Sequence, residues 1–202
     1  MTTASPLRYN RLTGPAIRSV FEPLAALHIA VFRDFPYLYE GTLAYEMGYL
    51  DTYARSDRSF LLTVTDGDRL VGATTAIPLT DETEEVQQPF RDAGYALDRV
   101  FYFGESLLLP AYRGRGLGHR FFDEREAHAR QFGTFDLTCF CAVQRPDSHP
   151  QRPADYRPLD LFWRGRGYQR EPALTSTFWW PDIGETESTP KPMLYWVRSL
   201  QP

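Results

Sequence analysis

Apolar positions along the chain follow two periods, and the switches between them outline an alternation of strands and helices. Leu7 to Leu12 predicts a short first strand. Pro23 suits the first turn of a helix through Leu24-Ala25-Ala26-Leu27-His28-Ile29-Ala30-Val31-Phe32, which ends before Pro36. Phe35 to Gly41 breaks the period; Leu43, Met47, Leu50 and Ala54 restore it beside Tyr45, Tyr49 and Tyr53, predicting a second helix with two apolar stripes. Ser59–Thr65 and Arg69–Leu79 are β-rich runs joined by Asp66-Gly67-Asp68, the signature of an antiparallel hairpin. The acidic stretch Asp81-Glu82-Thr83-Glu84-Glu85 is expected to open a short surface helix ending near Gly94, with its charges in solvent at the helix N-terminus.

Val100 to Leu109 reads as a buried strand interrupted at Gly104, where a missing side chain suggests a bulge or the close approach of another group. Pro110 stops it, and Leu117 to Phe132 predicts a helix closed by Gly133. With Phe135–Val143 as the next strand, this is a strand-helix-strand unit and implies a parallel crossover. Pro146, Pro150, Pro153 and Pro158 make 144–158 a long loop. A short helix over Leu159–Arg166 and strands over Leu174–Trp180 and Met193–Leu200, joined by a polar connection from Asp182 to Lys191, complete the pattern. The fold class is α/β with a mixed sheet.

The length of 202 residues, 43% hydrophobic, fits a single domain over 1–202. A net charge of −4, from 22 basic and 26 acidic residues, lacks the positive field that nucleic acid demands. The opening MTTASPLRYNRL holds no apolar stretch of signal-peptide length, and no run approaches the roughly 18–20 apolar residues of a membrane span, so a cytoplasmic protein with no membrane partner is expected. Cys139 and Cys141 lie two apart in a predicted strand and read as reduced, packed thiols. His28 and His128 sit on helix faces with no spacing that links them to a metal.

The chemistry concentrates in Pro110-Ala111-Tyr112-Arg113-Gly114-Arg115-Gly116-Leu117-Gly118. A strand, this turn and then a helix place unpaired backbone N–H groups at the positive end of a helix dipole, a site that favours an anion. Glycines at alternate positions remove the side chains that would hold a diphosphate away from those amides, and Arg113 and Arg115 add charge. A dinucleotide fingerprint needs G-x-G-x-x-G, whereas Gly114, Gly116 and Gly118 run G-x-G-x-G after an antiparallel hairpin. A nucleoside-triphosphate P-loop needs a lysine and a hydroxyl residue that are missing after Gly118.

The pattern Arg113-x-x-Gly116-x-Gly118, preceded by a buried strand and Pro110, resembles the coenzyme A motif of the GNAT superfamily of acyl-CoA N-acyltransferases. The order of elements across nearly the whole chain is similar to that family, as is Phe162-Trp163-Arg164-Gly165-Arg166-Gly167-Tyr168, an aromatic segment ending in Gly and an aromatic. The resemblance implies a strongly twisted mixed sheet of about seven strands flanked by helices, splayed between the fourth and fifth. It also implies acetyl-CoA as cofactor, its pantetheine arm pairing with backbone around Leu107, Leu108 and Leu109. The amides from Arg113 through Gly114, Arg115, Gly116 and Leu117 to Gly118 would hold the pyrophosphate, with His119 and Arg120 as further phosphate contacts.

Direct transfer needs a base for the incoming amine and often an acid for the departing thiolate. Glu105, on the motif strand beside Gly104, resembles the carboxylate that some relatives use as base. Trp163 stands where the family often has a tyrosine as general acid and cannot donate a phenolic proton, which leaves Tyr156, Tyr168 or water, or a thiolate that departs unprotonated. By resemblance, the acceptor meets Phe35, Tyr37 and Tyr39 and the loop after 143, where Arg145 and His149 stand. The expected reaction is therefore N-acetylation of an amine on a small molecule or peptide. A non-catalytic acyl-CoA sensor is the alternative, and the final strands offer an edge for a homodimer.

Overall fold

The computed structural model describes residues 6–200; the first five and last two residues of the expected 1–202 domain, including the start of MTTASPLRYNRL, lie outside the described residues. Strand β1 (Arg8–Leu12) leads through a 3-10 turn, Gly14–Val20, into α1 (Phe21–Phe32) and then α2 (Leu43–Arg55). The hairpin is β2 (Phe60–Asp66) and β3 (Arg69–Pro78), with Gly67 at φ 57° in its turn, the conformation the Asp-Gly pair predicts. After α3 (Glu84–Asp92) come β4 (Val100–Tyr102), β5 (Ser106–Leu108), α4 (Leu117–Arg130), β6 (Leu137–Val143), α5 (Asp160–Gly165), β7 (Gln169–Trp180) and β8 (Thr189–Ser199). Strand β7 begins at Gln169, five residues before the expected start, because a bulge between Glu171 and Thr175 absorbs Pro172 without ending the pairing with β8.

Sheet order is β1-β2-β3-β4-β6-β8-β7, with β5 paired to β3. Only β4 and β6 run parallel, joined by the α4 crossover; every other pairing is antiparallel. The expected fourth strand is split in two at Gly104, so seven predicted strands become eight. Alternation along each strand sorts the core onto both faces: Leu61, Val100, Tyr102 and Cys139 face α1 to α3, while Phe60, Leu62, Phe101, Phe103 and Phe140 face α4 and α5. Buried leucines such as Leu24 and Leu27 in α1 each contribute roughly 1.5–3 kcal/mol. The helical stretch Gly14–Phe32 does reach, at 19 residues, the length and apolarity of a membrane-crossing helix, which no single uninterrupted apolar run suggested. Its Ile17, Leu24, Ala25 and Leu27 are packed into the core.

The strand break has a clear cause. Thr75 of β3 accepts on its carbonyl from the Gly104 N–H (3.2 Å), while its own N–H donates to the Glu105 carbonyl (3.1 Å), so two residues oppose one in a bulge. Before the bulge, β4 pairs with β6 on its far side, and the Phe103 N–H donates to the Cys139 carbonyl at 2.7 Å. Beyond it, β5 pairs with β3 alone, and residues 140–143 of β6 pair with β8 alone. The sheet therefore opens into a split after Gly104.

Two glycine-to-alanine substitutions are expected to act with opposite sign. A Cβ at Gly104 would lie 2.0 Å from the buried Tyr53 Oη and 2.6 Å from Thr75 Oγ1, so Gly104→Ala should cost about 1–3 kcal/mol. Gly48, exposed inside α2 with nothing within 4 Å of its Cβ position, should gain about 0.5–1 kcal/mol as alanine. Urea unfolding monitored by circular dichroism measures both.

Candidate active site

The split between β5 and β6 is walled by backbone. The Leu109 N–H donates to the Val71 carbonyl (3.0 Å) and the Glu105 carbonyl accepts from Thr75, so both residues turn their amides toward β3. By alternation, Ser106 and Leu108 turn theirs toward the open side, with Leu107 buried beneath. The Leu108 carbonyl accepts from Arg113 Nε at 3.2 Å, which ties the strand to the glycine-rich turn.

At that turn Gly114 (φ 75°) and Gly116 (φ 80°) both occupy the left-handed region that glycine alone enters without strain. A Cβ at either would point into open space, so their side of the turn is clear for a ligand. Gly116 caps α4, and the first bond back along the helix is the Arg120 N–H to the Gly116 carbonyl at 3.2 Å, so the amides just before it are helix N-terminal donors. The Arg113 N–H is already taken by the Pro110 carbonyl (3.1 Å). Arg113 also reaches Asp34 (3.3 Å), and Arg115 lies over the Tyr112 ring. His119 packs edge-on against Phe162 of α5, which also touches the Cβ position of Gly118, while Arg120 covers the Tyr9 ring.

Glu105 sits in the bulge with its carboxylate buried. Oε1 accepts from Tyr49 Oη at 2.6 Å and Oε2 from Thr75 Oγ1, whose oxygen in turn accepts from the Glu105 N–H (2.9 Å). Tyr49 contacts the Tyr53 hydroxyl at 3.1 Å, and Tyr53 donates to Glu82 Oε1 at 3.2 Å. The acidic stretch is thus not wholly a solvated face: Glu82 is buried, with Oε2 accepting the Thr83 N–H at 2.7 Å. Glu82 lies in extended backbone just before α3, so no helical spacing marks it in the sequence. Arg125 of α4, also unforeseen, lies between Phe103 and Phe122 and donates to the Glu105 carbonyl at 3.4 Å. Burial lowers its guanidinium to about 10.

The residues expected to meet the acceptor come from three segments. Phe35 meets both Tyr156 (4.7 Å between centroids) and His149 (5.6 Å), so the segment after α1 and the proline-rich loop form one wall. Burial pushes the Tyr37 phenol upward, and its ring packs against Phe32 and Trp180. The Tyr156 phenol is raised chiefly by burial as well. Tyr39 is buried and donates to the fully buried Glu46 of α2, whose other oxygen lies 2.9 Å from His28 Nδ1. Arg145 is engaged within the protein: it donates to the carbonyls of Pro36 and Tyr37 (both 2.9 Å) and makes a two-pronged pair with Asp182. Tyr168 is buried away from the split, its hydroxyl 2.9 Å from Thr138 Oγ1, and Trp163 packs against Phe140 and Trp196. Among the described residues, no group of three or more His, Cys, Asp or Glu side chains is placed to hold a metal ion.

A split sheet, an anion-accepting turn at the entrance and a buried carboxylate beneath define a class of protein that threads an extended anionic ligand between two strands. Residues 24–152 match the model of the Acetyltransferase (GNAT) family, and the chain belongs to that family. It is an acyltransferase. Solved structures with the same fold include NAA60 of Arabidopsis thaliana in complex with a bisubstrate analogue (12% identity, TM-score 0.61, 97% of this chain and 100% of that one). A ribosomal-protein-alanine N-acetyltransferase from Brucella melitensis (13%, 0.60, 95% and 99%) and an aminoglycoside 6′-N-acetyltransferase complexed with coenzyme A (14%, 0.56, 96% and 98%) are similar in the same way. At such identities the likeness is one of fold. No curated protein matches by sequence.

Burial opposes ionisation of Asp182, but hydrogen bonds from Arg145 and Lys191 outweigh it and hold the carboxyl below its ordinary value. A depressed carboxylate stabilises the fold above the unfolded-state value and loses that contribution as pH falls through the folded one. Arg145→Ala should therefore cost about 3 kcal/mol at neutral pH, Lys191 remaining at 3.0 Å, and the deficit should shrink in acid. Thermal melts between neutrality and acid pH check this.

Proposed function

We propose that the protein transfers the acetyl group of acetyl-CoA directly to an amine of a small molecule or peptide, with Glu105 as the base. The observation that carries this reading is the strand break at Gly104. One bulge opens the sheet for an extended thioester and sets a buried carboxylate on the acceptor side of the opening.

The donor fits what the chain presents. Amides from Gly114 to Gly118, with Arg113 and Arg115, suit a pyrophosphate, and His119 stands just inside the helix to add a contact. The backbone of Ser106 and Leu108 suits the amides of the pantetheine arm, with Leu107 and Leu109 holding the strand to β3. On the acceptor side, Phe35, Tyr37, Tyr156 and His149 line the approach to Glu105. Arg145 shapes that wall by fixing residues 36 and 37, and Tyr39 supports it from below. Glu105 takes the proton from the incoming nitrogen as that nitrogen attacks the thioester carbonyl. Tyr156, kept protonated by burial, is the candidate donor for the departing sulfur.

Isothermal titration with acetyl-CoA should give saturable binding in the native protein and none in Gly116→Glu, which places a carboxylate where the pyrophosphate sits. Glu105→Gln should keep acetyl-CoA affinity yet lower kcat by roughly 10²–10⁴-fold, read by thiol release with amine acceptors. Native protein that fails to bind acetyl-CoA would end this reading, and undiminished turnover in Glu105→Gln would end the assignment of the base.

A further inference from the structure

Glu105, half-buried Tyr49, Tyr53 and Glu82 form a line of hydrogen bonds with spacings of 2.6, 3.1 and 3.2 Å, joined from the side by Thr75 at Glu105 Oε2 and by the Thr83 N–H at Glu82 Oε2. Two hydroxyls between two carboxylates leave three gaps to fill, and each phenol brings a single hydrogen. With both carboxylates ionised, Tyr49 donates to Glu105 and Tyr53 to Glu82, so the gap between the phenols holds lone pairs and no hydrogen. One added proton on either carboxylate completes the line, with every hydrogen pointing the same way. The arrangement therefore has room for one proton more than two ionised carboxylates supply.

We propose that the proton-accepting unit of the enzyme is this whole line rather than Glu105 alone, with Glu82 as the positioning residue that receives the proton from Glu105 through the two phenols. The inference rests on Glu105 being the base. In the step itself the acceptor's N–H bond breaks, its electron pair stays on nitrogen for the new C–N bond, and the C–S pair leaves with sulfur. The proton forms an O–H bond on Glu105. That proton passes to Tyr49 as the Tyr49 proton passes to Tyr53 and the Tyr53 proton to Glu82; three O–H bonds break and three form. Glu105 is again a carboxylate, and the proton later leaves by the reverse path with the products.

Its surroundings favour such a line. Glu105, Tyr53 and Glu82 are buried and Tyr49 half-buried, and among the described residues Glu82 has no ion pair to hold its charge. Gly104 is the glycine that makes room for Tyr53, so the bulge that opens the split also admits the middle of the line. The Arg125 guanidinium donates to the Glu105 carbonyl at 3.4 Å, so a cation stands behind the Glu105 end of the line. Glu82 is faced by Tyr49 and Tyr53 from α2, Glu105 from the bulge, Tyr102 from β4, Cys139 and Cys141 from β6 and Tyr195 from β8, with no cation in that set. Burial, with a smaller contribution from the Glu105 charge, pushes the Glu82 carboxyl up to about 7. Below that pH the line already holds its proton and cannot take another, so turnover should rise with pH through about 7.

The test uses the full chain in two independent readouts. In the protein without substrates, infrared titration of buried carboxyl groups should show one group near neutrality that disappears in Glu82→Gln. It should also shift in Glu105→Gln, although the two carboxylates do not touch, and Tyr53→Phe should abolish that response to the Glu105 change. In turnover, Glu82→Gln and Tyr53→Phe should lower kcat about tenfold or more with unchanged KM for acetyl-CoA, and should move the acid limb of kcat/KM down by at least about one pH unit. An acid limb identical to that of the native enzyme in Glu82→Gln, or a Glu82 titration indifferent to Glu105→Gln, would overturn the proposal. Full turnover in Glu105→Gln instead removes the base assignment, and the infrared coupling then stands or falls separately.

Discussion

The Tyr53 hydroxyl and Gly104 cannot be separated: the position where a side chain at 104 would begin is 2.0 Å from that oxygen. Any larger residue would displace either the phenol or the strand. With glycine there the phenol fits against the backbone, Gly104 and Glu105 bulge opposite Thr75, β4 keeps its parallel partner and β5 loses it. The opening between β5 and β6, the burial of Glu105 and the line of hydroxyls beneath it all follow from this one close approach. A backbone irregularity of two residues thereby opens an otherwise continuous sheet.

Such an opening would weaken the molecule were it not braced on both faces. On one side α1 and α2 pack Leu24, Leu27, Leu50 and Tyr53 against the strands; on the other α4 contributes Phe121, Phe122 and Arg125. Arg125 is the telling member, a guanidinium almost without solvent contact, stacked on Phe103 and Phe122 and bonded to main-chain carbonyls of Phe121 and Glu105. Stacking satisfies the faces of the guanidinium and carbonyls satisfy its edges, so a cation stands behind the bulge without a carboxylate in contact. The acceptor side is braced differently, by Arg145 and Lys191 converging on Asp182 and by Arg145 reaching the carbonyls of 36 and 37. Wall and floor of the site are thus held by separate networks.

Element types were legible in the sequence wherever a period ran long enough: the hairpin around Gly67, the α4 crossover and the helix α2 all stand where the pattern puts them, although Leu43 and Met47 of the expected α2 stripe are exposed while Glu46 and Tyr53 are buried. The glycine-rich turn was legible for a stronger reason, since Gly114 and Gly116 adopt the left-handed conformations that only their residue type tolerates. Less was legible at the level of side-chain partners. Arg145 reads as a free cation in a polar loop until Asp182, far along the chain, is brought beside it, and Glu82 reads as one charge among several in an acidic run. Tyr49 and Tyr53 look like packing aromatics until their hydroxyls are seen to end on carboxylates.

By itself, then, the sequence determined what local rules can encode: the periods that make strands and helices, the glycines that permit positive φ, and the family those features mark. Tertiary structure alone decided which polar atoms meet. Hydrogen bonds between residues 49 and 105, or 53 and 82, depend on the packing of α2 over a bulged strand, and such pairings leave no periodic trace in the chain. Desolvation acts in the same way, because a carboxylate near neutrality at Glu82 arises from everything packed around it and not from its neighbours in sequence.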